Sequence, residues 1–292
     1  MTARTRVVKT AAAAHKGGFL IEFGHSVDFI SQAMNIFDCG QFSIARFPVA
    51  GSDGNYSYAV YCAETGEGVV IDPLSPGEIL SHISDNSITV KRIVNTHSHP
   101  DHIAGNAETA RATGAKIVSH PLGAEKTGAE ETVDEGCVIA FGKLEFSVMH
   151  TPGHCPDHIS LLIDGNAFVA DTLFLSGCGN TKFGGNTADL FKSVERLRNL
   201  DGKTRVFCGH NYAETNLKFA LSLEPDNTDA KRKLEEVKSV EDPVSTIDEE
   251  KLYNPFMRYD NPKVAEKARE AFAGTDSDAG TFAALRELRN NW

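Results

Sequence analysis

The chain has 292 residues, 41% of them hydrophobic and 24% charged, with a formal net charge of −11. That balance is globular, enough for one large domain or two modest ones. It excludes a membrane-spanning helix, because no apolar run nears the ~18 to 20 residues one needs, and it argues against nucleic acid as a partner, because phosphate contacts need clustered Lys and Arg. A local basic pocket for a small anion is still compatible with it.

Residues 1–40 read as a leader without strand or helix period. Arg4, Arg6, Lys9 and Lys16 occur in it with no acid before Glu22, as in organellar transit peptides, although it is poor in Ser. The expected location is the cytoplasm, with mitochondrial import left open by this leader. From Phe42 the pattern turns strand-like: FSIARFPV, YSYAVYCA and GVVIDP, separated by the Gly-rich turns AGSDGN and ETGEG. GEILSHISD reads as a helix, KRIVNT as a buried strand, NAETARATG as a helix closed by Gly114, and AKIVSH as the next strand. Strands continue through CVIAF, LEFSVMHT, HISLLID and AFVADTLF. The helix ADLFKSVERLRNL, with Leu190, Val194, Leu197 and Leu200 on one face, and the strand KTRVFCGH follow. Beyond His210 the reading is helical: ETNLKFALSLE and NTDAKRKLEEVKSV, a looser connector VEDPVSTIDEEKLYNPFMR, then KVAEKAREAFAG and GTFAALRELRN. The expected division is a leader (1–40), an α/β catalytic domain (41–210) and an α-helical substrate-binding domain (211–292).

The six cysteines contain no CxxC pair and read as reduced thiols, not a disulfide framework. The decisive stretch is Thr96-His97-Ser98-His99-Pro100-Asp101-His102, with three imidazoles and a carboxylate in one loop directly after a strand. Gathering such groups is costly unless a cation collects them, and the donor types suit zinc, iron or manganese. One such loop among 11 histidines is improbable by chance. Further strand ends carry His154 in TPGH, Asp171 after AFVA and His210 after RVFCG. Seven ligands exceed one zinc and fit two divalent ions: His97, His99 and His154 on the first, Asp101, His102 and His210 on the second, and Asp171 bridging. Such a pair lowers the pKa of a shared water to about 7. Asp101 and Asp171 are then the catalytic carboxylates.

THSHPDH, TPGH, the Asp171 strand end and CGH resemble the metal motifs of the metallo-β-lactamase superfamily, which implies an αββα sandwich. CGHNYAETNLKFALSLEPDN and YNPFMR are similar to the glyoxalase II (hydroxyacylglutathione hydrolase) family over roughly residues 42–292. This resemblance implies hydrolysis of a glutathione thioester such as S-lactoylglutathione to D-lactate and free thiol, by attack of a hydroxide bridging the metals. It also implies a monomer whose smaller C-terminal α-helical domain binds glutathione. Carried over by position, Tyr212 matches a tyrosine that contacts the glutathione backbone. Lys182 and Phe183 fall near a lysine–aromatic pair, and Arg286 and Arg289 match a basic pair for the glycine carboxylate.

The chain departs from the family at Ser98, in the longer loop GCGNTKFGGNTAD, at Ala170 where a Gly is usual, and at Gly184 where a second tyrosine is expected. These leave the metal motif intact and bear on the carrier thiol, for which trypanothione is an alternative. A mononuclear-iron persulfide dioxygenase shares similar segments, but the helical tail through YNPFMR favours the thioesterase. His120, His150 and His158 read as core or as support behind the ligands. Cys155 and Cys178, with no free His and acid to activate them, read as bystanders, and His15 and His25 as having no role.

Overall fold

The computed structural model describes residues 5–7, 34–240, 243–273 and 275–292. One sheet runs in the order β1 (Thr5–Val7), β2 (Asn35–Asp38), β3 (Phe42–Pro48), β4 (Tyr56–Cys62), β5 (Glu67–Ile71), β6 (Thr89–Val94), β7 (Lys116–Ser119), β8 (Glu131–Thr132). Pairing is antiparallel to β5 and parallel from β5 to β8. The strand at 35–38 corrects the expectation that residues 1–40 lack one: Phe37 faces Ile44 and packs its ring 5.3 Å from Phe207. The leader also supplies β1, Thr5–Val7, paired with β2; residues 8–33, including His15 and His25, lie outside the described residues.

A second sheet is built from β9 (Val138–Phe141), β10 (Leu144–His150), β11 (Ile159–Ile163) and β12 (Asn166–Ala170). After a small hairpin of β13 (Leu173–Phe174) and β14 (Gly177–Cys178), β15 (Arg205–Cys208) and β16 (Ser245–Thr246) complete it. β15 lies parallel to β12, and β16 pairs antiparallel with β15. The two sheets share one core in which Tyr58 packs edge-on to Phe168 at 5.2 Å and Phe168 stacks on Phe207 at 5.0 Å. Each such ring removed from water contributes roughly 2 to 3 kcal/mol.

The parallel half of the first sheet needs crossovers, which are supplied by α1 (Pro76–Asp85) and, between β6 and β7, by α2 (Pro100–Ile103) and α3 (Asn106–Thr113). Gly114 closes α3 with φ +71. Ile79 and Ile83 of α1 bury against Ala45, Phe47, Val70 and Ile93 on the outer face of that sheet. β3 and β4 are therefore covered on both faces, and their residues are buried almost without alternation. α4 (Ala124–Thr127) leads into β8, and α5 (Thr187–Arg198) lays Leu190, Val194 and Leu197 against the core as its periodicity predicts.

The helical region holds α6 (Ala213–Leu223), α7 (Thr228–Ser239), α8 (Ile247–Tyr253), α9 (Pro262–Ala271) and α10 (Asp278–Asn291). Within the segment read as a loose connector, residues 245–257 form regular elements instead. Thr246 and Glu249 form a capping box that starts α8, with β16 directly before it. Glu250 of α8 is buried, accepting from the Ser176 backbone N–H at 2.8 Å and from Asn254 at 2.8 Å. The result is an α/β sandwich with helices on the outside, followed by a smaller helical region. None of the helices among the described residues is long and apolar enough to cross a membrane.

Candidate metal centre

β5, β6, β10, β12 and β15 all end on one rim, and the residues just beyond them build the site. Asp72 follows β5 with φ +48 and is 3% exposed. Its carboxylate grips the loop after β6, accepting from Thr96 N at 2.8 Å, Thr96 Oγ1 at 2.6 Å and His102 Nδ1 at 3.0 Å. Other outward-facing ring nitrogens are satisfied in the same way. His97 Nδ1 meets Thr96 Oγ1 at 3.1 Å, His154 Nδ1 meets Asn180 O at 2.8 Å, and His210 Nδ1 meets Asp53 O at 2.9 Å. Because these partners can accept, a proton on each Nδ1 is satisfied there and Nε2 is the nitrogen turned inward, the arrangement a metal requires.

The inward atoms crowd together. His97 Nε2 lies 3.1 Å and His154 Nε2 2.9 Å from His99 Nδ1. On the other side, His102 Nε2 lies 3.3 Å from His210 Nε2, which lies 3.4 Å from Asp101 Oδ2. Asp171 stands between the groups: Oδ2 is 3.6 Å from His154 Nε2 and 3.4 Å from His210 Nε2, and Oδ1 is 3.6 Å from His102 Nε2. Asp171 Oδ1 is buried without a hydrogen-bond partner among the described residues. Nitrogen lone pairs about 3 Å apart, with a partnerless buried carboxylate oxygen beside them, are unfavourable unless a cation sits among them. His97, His99 and His154 form one group that can hold an ion, and Asp101, His102 and His210 another. The donor set suits divalent metals.

The electrostatics agree. Burial, helped by the neighbouring imidazoles, holds His97 well below its ordinary pKa, and the neutral ring is the form that ligates. Burial opposes a charge on His210, yet Asp171 and the bond to Asp101 push it up to about 10. Asp171 is likewise held below the carboxylate range, against burial, by His102 and His210. The two carboxylates thus create a field that calls for positive charge at the centre of the site.

Two glycines make room. A Cβ on Gly209 would meet Asp171 Oδ1 at 2.3 Å and His102 Cε1 at 2.9 Å, and one on Gly179 would meet Asp171 O at 2.0 Å. Ala170, directly before Asp171, is strained at φ +36, in the region where a glycine is at ease.

Three supporting residues escape a reading of single positions. Asp72 looks like an ordinary turn acid in IDP. Asn55, 2% exposed, donates to Asp101 Oδ2 at 2.9 Å from the β3–β4 loop. Asp53 orients His210 and accepts from Tyr212 Oη at 2.6 Å. His158 sits behind the inward-facing donors: it stacks on His97 at 4.9 Å and accepts from the Asp171 backbone N–H at 3.1 Å. His120 and His150 stack on each other at 4.3 Å away from the centre, His120 against Asp134 at 3.2 Å. Parallel rings cannot aim in-plane lone pairs at a shared ion, so the pair is packing. Cys155 and Cys178 are buried free thiols, pushed up to pKa values far from a nucleophile's by that burial.

Beside the centre lies a cavity of about 240 Å³ lined by Lys182, Tyr212, Arg286 and Arg289 together with Asn180 and Asn216. The Tyr212 ring stacks on His210 at 4.9 Å, so the cavity adjoins the metal rim. Phe183 does not line it. That side chain is 69% exposed, with its ring 6.2 Å from His99 on the outer side of the site.

Comparison with known proteins agrees with this geometry. The profile of the metallo-beta-lactamase superfamily matches residues 51–210, and that of the hydroxyacylglutathione hydrolase C-terminus matches residues 211–292. A hydroxyacylglutathione hydrolase of Polaromonas sp. is 40% identical over 82% of this chain and 95% of its own length. Among solved structures, ETHE1 from Myxococcus xanthus superposes with a TM-score of 0.63 at 26% identity, covering 84% of this chain and 90% of that one. TTHA1623, solved in a di-iron-bound form, superposes with a TM-score of 0.54 at 26% identity, covering 72% and 99%. The chain therefore belongs to the metallo-beta-lactamase superfamily and, within it, to the hydroxyacylglutathione hydrolase family.

Proposed function

We propose that this protein is a binuclear metal-dependent thioesterase that hydrolyses S-lactoylglutathione-type thioesters to a hydroxy acid and free glutathione. The observation that carries this reading is the adjacency of two features. A seven-residue centre of inward-facing donors shares a wall, through Tyr212 stacked on His210, with a cavity bearing Lys182, Arg286 and Arg289. A thioester whose carrier is a small anionic peptide needs both in one place. The relative named hydroxyacylglutathione hydrolase, alike over most of both chains, supports the same substrate class.

His97, His99 and His154 would hold one ion, Asp101, His102 and His210 the other, and Asp171 both. Zinc is the proposed metal, with iron or manganese equally suited to the donor types. Two such ions, when bound, supply Lewis acidity and an activated water at neutral pH. The chain's own groups do the rest. Asp101, held by Asn55, offers a carboxylate oxygen to a proton of that water. Asp72, Asp53, Thr96 and Asn180 keep four rings in the ligating tautomer. The cationic cavity anchors the carrier so that its thioester reaches the centre. The domain proposal follows: residues 35–210 carry the centre and 211–292 most of the carrier site.

The test is hydrolysis of S-D-lactoylglutathione by metal-analysed protein beside Asp171→Ala. Two metals per chain and rapid turnover, both lost in the variant, are expected. A wild type that is loaded with metal but inert toward this substrate, or an Asp171→Ala variant that keeps metal and turnover, would defeat the reading.

A further inference from the structure

The two arginines of the cavity are held in different ways. Arg286 is engaged by the protein: Nη1 donates to Cys178 O at 2.9 Å and Gly179 O at 3.2 Å, and Nε to Asn290 Oδ1 at 3.2 Å. It fastens α10 to the loop after β14. Arg289, one helical turn on, makes a long hydrogen bond to Asn216 Oδ1 at 3.4 Å and is otherwise held by aromatic faces. Its guanidinium carbon lies 5.8 Å from the centre of the Phe219 ring and 5.4 Å from that of Trp292. The two rings meet edge to face at 5.8 Å and 68°. Phe219 is 1% exposed and fixed in the core, whereas Trp292 is 53% exposed and leaves much of an indole in water.

This mode of holding suits a cation that must bind an anion. A carboxylate partner would occupy the N–H fork and cancel its charge. An aromatic face takes the flat side of the guanidinium and leaves the N–H edges and the charge available. It also limits the rotamer freedom that a free arginine would lose on binding.

We propose that Trp292 is a positioning residue for carrier recognition, its indole holding the Arg289 guanidinium in place to receive a carboxylate of the thiol carrier. The inference rests on the glutathione-thioester reading above and extends it to a residue that does not itself line the cavity.

Trp292 is the single tryptophan of the chain, so its emission reports on Arg289 directly. The full-length, metal-loaded protein would be titrated with S-methylglutathione, and turnover of S-D-lactoylglutathione measured for Trp292→Ala, Trp292→Phe, Arg289→Ala and the Arg289→Ala/Trp292→Ala double variant. Binding should change the emission of the wild type and not that of Arg289→Ala. Trp292→Ala should raise KM about five-fold with kcat kept, the size of a partly exposed cation–π contact, and Trp292→Phe should restore most of it. In the Arg289→Ala background, losing Trp292 should cost nothing further, because the pair acts as one unit. An unchanged KM in Trp292→Ala, or the same loss in both backgrounds, would overturn the role of Trp292. A wild type that neither binds S-methylglutathione nor turns over the thioester would overturn the glutathione reading itself, and the inference with it.

Discussion

Asp72 Oδ2 accepts from Nδ1 of His102 at 3.0 Å, with both side chains almost wholly buried. The same carboxylate takes the amide and hydroxyl of Thr96, so one acid that touches no inward-facing donor sets the loop that carries four of them. Asp72→Asn keeps the shape but can present an N–H where His102 needs an acceptor. Metal affinity should fall about 10- to 100-fold, the usual cost of losing such a partner. Chelator-competition titration measures it, and wild-type affinity would show that the loop holds its ring without Asp72.

Gly209→Ala isolates space from chemistry. The added Cβ meets Asp171 Oδ1 and His102 Cε1 at distances that real contacts do not show, while the neighbouring β15 pairing is untouched. Metal content and turnover should both fall by at least ten-fold with far-UV circular dichroism unchanged. A variant that loads two metals normally would mean that Asp171 is free to move.

Ala170→Gly should work in the opposite direction. Relieving φ +36 is worth roughly 1 to 2 kcal/mol, and the greater freedom of glycine in the unfolded chain removes about 0.4 to 1 of that. A net gain near 1 kcal/mol in urea unfolding is expected, with metal content kept. Ala170→Val should lose stability, because a β-branched residue is least tolerant of that backbone. A destabilised Ala170→Gly would mean that the strain is compensated elsewhere.

Glu250 predicts a pH dependence. Burial raises its pKa to about 7, against the hydrogen bonds from Ser245, Asn254 and Ser176 that favour the charge. The folded chain therefore binds the proton more tightly than the unfolded one. The contribution is full below pH ~4.5 and is lost as pH rises to about 7, on the order of 3 kcal/mol in all. Glu250→Gln should flatten the stability difference between pH 5 and 7 relative to wild type, each unfolded with chelator present. Parallel curves for the two proteins would rule out titration of Glu250 in that window.

What could be read from the sequence follows the spacing of the chemistry. His97, His99, Asp101 and His102 announce themselves because four metal-capable groups in one loop have no ordinary structural use. His154, Asp171 and His210 are single residues that gain meaning only from the strand ends that bring them to the same rim. Asp72, Asn55 and Asp53 stay hidden because an acid or amide in a turn is what turns usually contain, and their role exists only across the β3–β4 and β5 loops. The strand Asn35–Asp38 is too short to show a period. α8 is hidden because its seven residues are too few to show a helix period, although Thr246 and Glu249 stand at capping-box spacing. Phe183, carried over from family position, does not line the cavity and stands exposed beside His99.

The short pairing of Ser245–Thr246 with Arg205–Cys208 bears on how the cavity keeps its shape. The strand that leads to His210 is paired along its outer edge, at Arg205 and Val206, with a segment from the middle of the helical region, so the chain runs out into that region and returns to the sheet before running out again. Such a return crossing works like a rivet beside a hinge. Swinging the helices aside would first require stripping β16 from the strand that leads to His210. The frame of the cavity lined by Lys182, Tyr212 and Arg289 is thereby tied to the sheet as well as to the helices, so its shape depends on that pairing staying closed.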